Sequence, residues 1–112
     1  MLEINHRKYR RCDVIKLAGR IDSATAPQFQ EALNAITEAG RYNIVLNLSK
    51  VDFLSSAGLR HLITTKQTCK KYNRGKVVLT EVPDKIKETL DLAGVAVLFP
   101  FFDTEVDSVA SF

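Results

Sequence analysis

The sequence predicts a mixed α/β fold: a mainly parallel sheet of about five short strands, with an antiparallel N-terminal edge strand and about four helices. Three observations carry this. Two strand-like segments lie close together at the start, separated only by the charged bend RKYRR (Arg7 to Arg11). After Thr25, segments of helical period alternate with short apolar runs. Those runs, NIVLNL and KVVLTEV, read as buried strands, the first so continuously apolar that it fits a strand covered on both faces.

The elements follow in order. LEINH places Leu2 and Ile4 on one side of a first strand, and DVIKLAG forms a second that Gly19 should end. In TAPQFQEALNAITEAG, Ala26, Phe29, Ala32, Leu33 and Ile36 make an apolar stripe. Thr25 and Gln28 predict a capping box, with Pro27 in the first turn and Gly40 as terminator. VDFL then begins like a strand, and Leu59, Leu62, Ile63 and Cys69 mark the inner face of a second helix. A turn at Asn73, Arg74 and Gly75 should follow it. Pro83 and Asp84 open a third helix, with Ile86, Leu90 and Ala93 inward and Gly94 as its stop. VLF (Val97 to Phe99) predicts the last strand, and FPFF (Phe99 to Phe102) core and hinge. Asp103 or Thr104 should cap a final helix with Val106, Val109 and Ala110 inward.

With 112 residues, the chain fits a single domain spanning 1–112. At 46% hydrophobic it can bury a core, which argues against disorder. A net charge of +3 is too weak to imply nucleic acid or anionic lipid as a partner. The N-terminus lacks an apolar signal region, and no apolar run approaches the ~20 residues of a membrane helix. A cytoplasmic protein without membrane insertion is expected. Cys12 and Cys69 form no CxxC pair and read as reduced thiols, at least one of them in the core.

Ligands of such sheets meet the carboxyl ends of the strands. Two strand ends matter, GRID and FLSSAG. In the second, Ser55 is a natural N-cap, and Ser56, Ala57 and Gly58 form a first helical turn with almost no side chain to shield it. A helix start carries unpaired N–H groups and partial positive charge. A phosphate on Ser56 would be tolerated there while repelling a docked partner. On spacing alone, two serines before an apolar helix are better explained as simply a cap.

Three stretches in order carry a resemblance: LAGRIDSATAPQF, LNLSKVDFLSSAGLRHLI and LDLAGVAVLFPFFDTEVDSV. They resemble the anti-sigma-factor antagonist family, the STAS domains, over essentially the whole chain. The resemblance implies the STAS fold and a non-catalytic, partner-switching module. In that family an anti-sigma factor that is also a serine kinase binds the antagonist, phosphorylates it and is thereby released, and a serine phosphatase resets the cycle. By position, the phosphoacceptor is Ser56, with Ser55 as runner-up. The partner surface comprises Asp22, Ser23, Thr25, Ser55, Ser56, Ala57, Gly58 and Arg60. Asp22 corresponds to an acidic residue beside the acceptor. The family carries Asp before the acceptor and Ser or Thr after it; here Ser55 and Ala57 stand there.

No metal site is expected at His6 or His61, which lack further ligands at zinc spacing. No catalytic triad, P-loop or GxGxxG is present, so neither an enzyme nor a cofactor is implied. Lys66, Lys70, Lys71, Arg74 and Lys76 should form a solvated face with Arg7 to Arg11, or a patch steering an acidic partner. A monomer or weak dimer is expected. The alternative functions are a constitutive docking subunit of a transporter or stress-sensing complex, and a nucleotide-binding domain using the same helix mouth.

Overall fold

The computed structural model describes residues 1–72 and 74–112; Asn73, predicted to lie in a turn, falls outside the described residues. Strands β1 (Leu2–Lys8) and β2 (Asp13–Ile21) precede helix α1 (Ala26–Glu38). Then come β3 (Ile44–Leu54), α2 (Ser56–Lys71), β4 (Val77–Thr80) and α3 (Asp84–Leu92). A 3-10 turn (Ala96–Leu98), β5 (Phe101–Phe102) and α4 (Glu105–Ala110) complete the chain. The sheet order is β1-β2-β3-β4-β5, with β1 antiparallel to β2 and every later pair parallel. This is the expected architecture.

The chain-order sheet decides where the helices go. Each crossover from β2 to β5 steps one strand in the same direction, and steps of one hand taken one way leave their helices on one face. Phe29, Leu33 and Ile36 of α1, Leu62 and Cys69 of α2, and Ile86 and Leu90 of α3 share one core with Ile15, Leu17, Ile44, Leu46 and Leu79. Alternate strand residues turn the other way. Val14, Val45 and Val78 form a smaller cluster with Cys12, joined by Phe102 and by Val109 of α4.

Several boundaries differ from the sequence expectation. β2 does not end at Gly19, which instead takes a φ of +115°; a Cβ there would lie 2.3 Å from the Met1 carbonyl oxygen. Register shifts on either side of it let β2 continue to Ile21. β3 runs through SKVDFL as one strand, because pairing with β2 persists to Ile21–Leu54. The capping box does not form. Thr25 has helical backbone angles and its hydroxyl caps nothing, while the Gln28 amide donates to the Leu2 carbonyl and ties α1 to β1. Val97 to Phe99 is not the last strand. The chain makes a 3-10 turn there, and pairing with β4 begins at the Pro100 carbonyl, which accepts from the Leu79 amide at 3.0 Å. In FPFF, Phe99 is buried in the core as expected, while Phe101–Phe102 form the edge strand. Ala93 is exposed at the end of α3. Thr104 does cap α4, its hydroxyl accepting from the Asp107 amide at 3.1 Å. In α4, however, Val106 is 77% exposed and Ala110 is exposed, while Ser108 is buried with its hydroxyl donating to the Glu105 carbonyl.

Both cysteines are buried, in clusters on opposite sides of the sheet. Burial pushes the Cys69 thiol up to about 11. At pH 8 such a thiol is only about one part in a thousand thiolate. Native protein should therefore resist iodoacetamide at Cys69 and react after unfolding in urea. The unfolded thiol ionises near 9.0 and the buried one near 11, so this group's contribution to stability should fall as pH rises between those values. Alkylation at Cys69 as fast in native as in unfolded protein would contradict the burial.

Candidate functional site

β2 and β3 end side by side, with Ile21 opposite Leu54. One further hydrogen bond extends the pairing past the sheet: the Ser55 amide donates to the Ile21 carbonyl at 2.8 Å. Ser55 is extended (φ −83°, ψ 168°), and its hydroxyl accepts from the Gly58 amide at 3.2 Å. That is N-cap geometry, as its sequence position predicted. Ser56 begins the helix. It is exposed, and its hydroxyl has no hydrogen bond among the described residues. The two serines therefore differ: one hydroxyl holds the helix start, and the other faces solvent.

Small residues follow for a reason that spacing did not disclose. Gly58 is buried, and a Cβ on it would lie 2.6 Å from Ile21 Cγ2 and 2.8 Å from Leu54 Cδ1. It was expected on the partner surface; instead it packs inward and lets α2 sit against the strand ends. Ala57 is half-buried. The sixteen-residue helix has no acid in its first turn and Lys70 and Lys71 in its last, so nothing on its own first turn offsets its positive end.

The second strand end supplies the acid. Asp22 Oδ1 accepts from the Ala24 and Thr25 amides, both at 3.0 Å, so this carboxylate organises the turn leading into α1. The Thr25 hydroxyl accepts from the Asp22 amide at 2.9 Å and donates to the Arg20 carbonyl at 2.7 Å. Asp22 is held below the ordinary carboxylate value, first by the Thr25 amide, against partial desolvation, with the Ala24 amide and Arg20 adding to it. It is an anion at neutral pH. Asp22 directly follows Ile21, whose carbonyl receives the Ser55 amide, so acid and helix mouth are carried by adjacent strand ends. Ser23 is exposed on the same turn, and Thr25 is half-buried. Arg60 is exposed four residues after Ser56, and hence on the same helix face.

Sequence reasoning missed Arg20 and Phe53. They pair across β2 and β3, with the guanidinium 4.3 Å from the ring centroid and Phe53 37% exposed. The Arg20 side chain also lies 3.8 Å from Asp22. An aromatic capped by a cation thus borders the helix mouth. Strand alternation would place Phe53 on the face of Val51; the register shift between Gly19 and Arg20, which skips Asp52, turns it outward, and the sequence carries no signal of that. Also missed was Asp13, at 1% exposure, whose carboxylate meets His6 Nε2 at 2.6 Å and the Arg41 guanidinium. His6 is therefore a partner of a buried acid as well as a surface residue.

The sequence profile of the STAS domain matches residues 3–108. The chain belongs to the STAS domain family. A Bordetella bronchiseptica protein, BtrV, provisionally described as an anti-sigma factor antagonist, is 30% identical over 86% of this chain and 82% of its own. The anti-sigma F factor antagonist of Paenibacillus polymyxa is 25% identical over 96% of this chain and 92% of its own. The crystal structure of an anti-sigma factor antagonist from Mycobacterium paratuberculosis superposes with a TM-score of 0.85, at 26% identity, covering 99% of this chain and 93% of that one. Among the described residues, no group of acidic, histidine and cysteine side chains could hold a metal, and no helix is long and apolar enough to cross a membrane. In this STAS domain the helix mouth after the third strand is bare, electropositive and accessible.

Three substitutions should separate the roles at this mouth in urea unfolding. Ser55→Ala should cost about 1 kcal/mol as a lost cap. Gly58→Ala should cost about 1–3 kcal/mol by overpacking Ile21. Ser56→Ala should stay within about 0.5 kcal/mol of wild type. A Ser56→Ala cost equal to that of Ser55→Ala would make the outer hydroxyl structural too.

Proposed function

We propose that this chain, as one STAS domain in the cytoplasm, is an anti-sigma-factor antagonist: a non-catalytic module that docks a serine-kinase anti-sigma factor and lets go when Ser56 is phosphorylated. A serine phosphatase restores the docking state. The observation that carries this reading is the division of labour between the two serines. Ser55 is occupied by the cap and by the Ile21 carbonyl, whereas Ser56 offers a free hydroxyl at an unshielded helix start. This favours Ser56 over Ser55 as the acceptor. The names borne by its relatives point the same way.

The energetics fit a switch that leaves the fold alone. A phosphate on Ser56 adds about −1.5 to −2 charges, and the helix N-terminus receives it favourably. Arg60, on the same helix face, supplies a cation. A docked partner must desolvate that charge or pair it. A penalty of ~3 kcal/mol is about a hundredfold in affinity. Asp22, Ser23, Thr25, Ser55, Ala57 and Arg60 surround the acceptor as contact surface, with Phe53 as an apolar anchor at its edge. Gly58 contributes from beneath.

The test uses the cognate kinase with ATP, mass spectrometry to place the phosphate, and calorimetry with the kinase as partner. Phosphate on Ser56 is expected, with Ser56→Asp weakening binding by about a hundredfold at unchanged melting temperature. Unlabelled protein that binds equally well as Ser56→Asp would instead indicate constitutive docking, as in a transporter or stress-sensing subunit.

A further inference from the structure

The loops at the amino ends of β2, β3 and β4 converge on a cavity of about 480 Å³. It lies a full strand length, roughly 25 Å for the nine residues of β2, from the Ser56 end of the sheet. Three loops supply its cations: Arg10 and Arg11 before β2, Arg41 before β3, and Arg74 with Lys76 before β4. It is an open recess whose volume lies within the range of small-molecule sites.

The arginines do not all have the same explanation. Arg41 is structural, binding the buried Asp13 carboxylate and the carbonyls of Tyr9 and Cys12. Asp13, in turn, is shared between Arg41 and His6. That leaves Arg10, Arg11, Arg74 and Lys76, all exposed and none in an ion pair among the described residues. Those four carry more positive charge than the whole chain has net, +3. Water screens the repulsion among these exposed cations, and a multiply charged anion entering the recess could contact several of them at once.

The backbone holds them together. At Gly75 a Cβ would lie 2.0 Å from the Tyr42 carbonyl oxygen, so the link before β4 is pressed directly onto the link before β3. The Gly75 amide also donates to the Cys69 carbonyl at 2.8 Å, closing α2. Arg74 precedes it with a φ of +52°, uncommon for a side chain of its size. Glycine and strain together set Arg74 and Lys76 beside Arg41. Arginine forks match phosphate oxygens in pairs, and cations arriving from three sides suit a ligand with charge distributed around it.

We propose that this cavity binds a compact polyanion bearing at least two phosphoryl groups, independently of the chemistry at Ser56. The test is an amide NMR titration with inorganic pyrophosphate, against sodium chloride at matched ionic strength. Saturable shifts confined to Arg10–Asp13, Arg41–Asn43 and Gly75–Lys76 are expected with pyrophosphate alone. Arg11→Ser and Arg74→Ser should each weaken binding by about tenfold. Lys76→Gln is a further variant should either misfold, as read by circular dichroism, and Arg41 is left intact for its structural role. Phosphatidylcholine vesicles with and without a polyphosphoinositide identify the source. Sedimentation only with the phosphoinositide assigns a lipid headgroup, and no sedimentation assigns a soluble phosphate. The proposal is overturned by shifts equal to those with chloride, by unchanged affinity in folded variants, or by an acidic protein or RNA shifting these amides where pyrophosphate does not.

Discussion

The hydrogen bond from the Ser55 amide to the Ile21 carbonyl is the point on which the rest of the functional end depends. It continues the β2–β3 ladder one step beyond the sheet and so fixes where α2 must begin. Once that start is fixed, Gly58 has to pack on Ile21 and Leu54, and any side chain there overpacks the contact. The Ser55 hydroxyl is then committed to the first turn, and the next residue is left pointing outward with nothing to hold. Stability and accessibility are assigned to adjacent residues. A charge can be placed on one of them without withdrawing any bond that the fold uses.

Electrostatics gives the molecule two distinct ends. At the carboxyl ends of the strands the positive charge is that of the α2 backbone dipole and the exposed Arg60, with Asp22 and Arg20 close to each other nearby. At the amino ends the positive charge belongs to side chains. Backbone charge is fixed and modest, and it suits a covalently attached phosphate that comes and goes. Side-chain charge is mobile and larger, and it suits a diffusible anion.

Much of this was legible in the sequence, and what was not has physical causes. Element order followed from periodicity, because apolar stripes in α1 and α2 are set by burial on a single face, and the antiparallel edge followed from the short bend between the first two strands. The Ser55 cap was readable because capping is local. Long-range contacts were not. The Gln28 side chain was assigned to a capping box and instead reaches Leu2, a partner twenty-six residues away. Gly58 looked like an open surface position, because sequence cannot show that a helix mouth lies on Ile21. Val97 to Phe99 had strand composition, yet the turn after Gly94 and the position of Pro100 moved pairing to Phe101. His6 and Asp13 meet only through the β1–β2 hairpin.

The helices are unevenly shared between the two faces of the sheet, and this bears on what covers each face. One face carries three crossovers and the large core, while the other carries α4, a helix of only six residues. α4 is fastened largely by polar ties: the Asn47 amide donates to Glu81 at 3.2 Å and to Glu105 at 2.9 Å, and the Glu105 amide donates to Glu81 at 3.0 Å. Asn47 is itself buried, at 1% exposure, so these ties are shielded from water and would be costly to leave unmade. α4 is thus what covers Val45 and Val78, while the strand ends that present Ser56 are backed by the larger core on the opposite face.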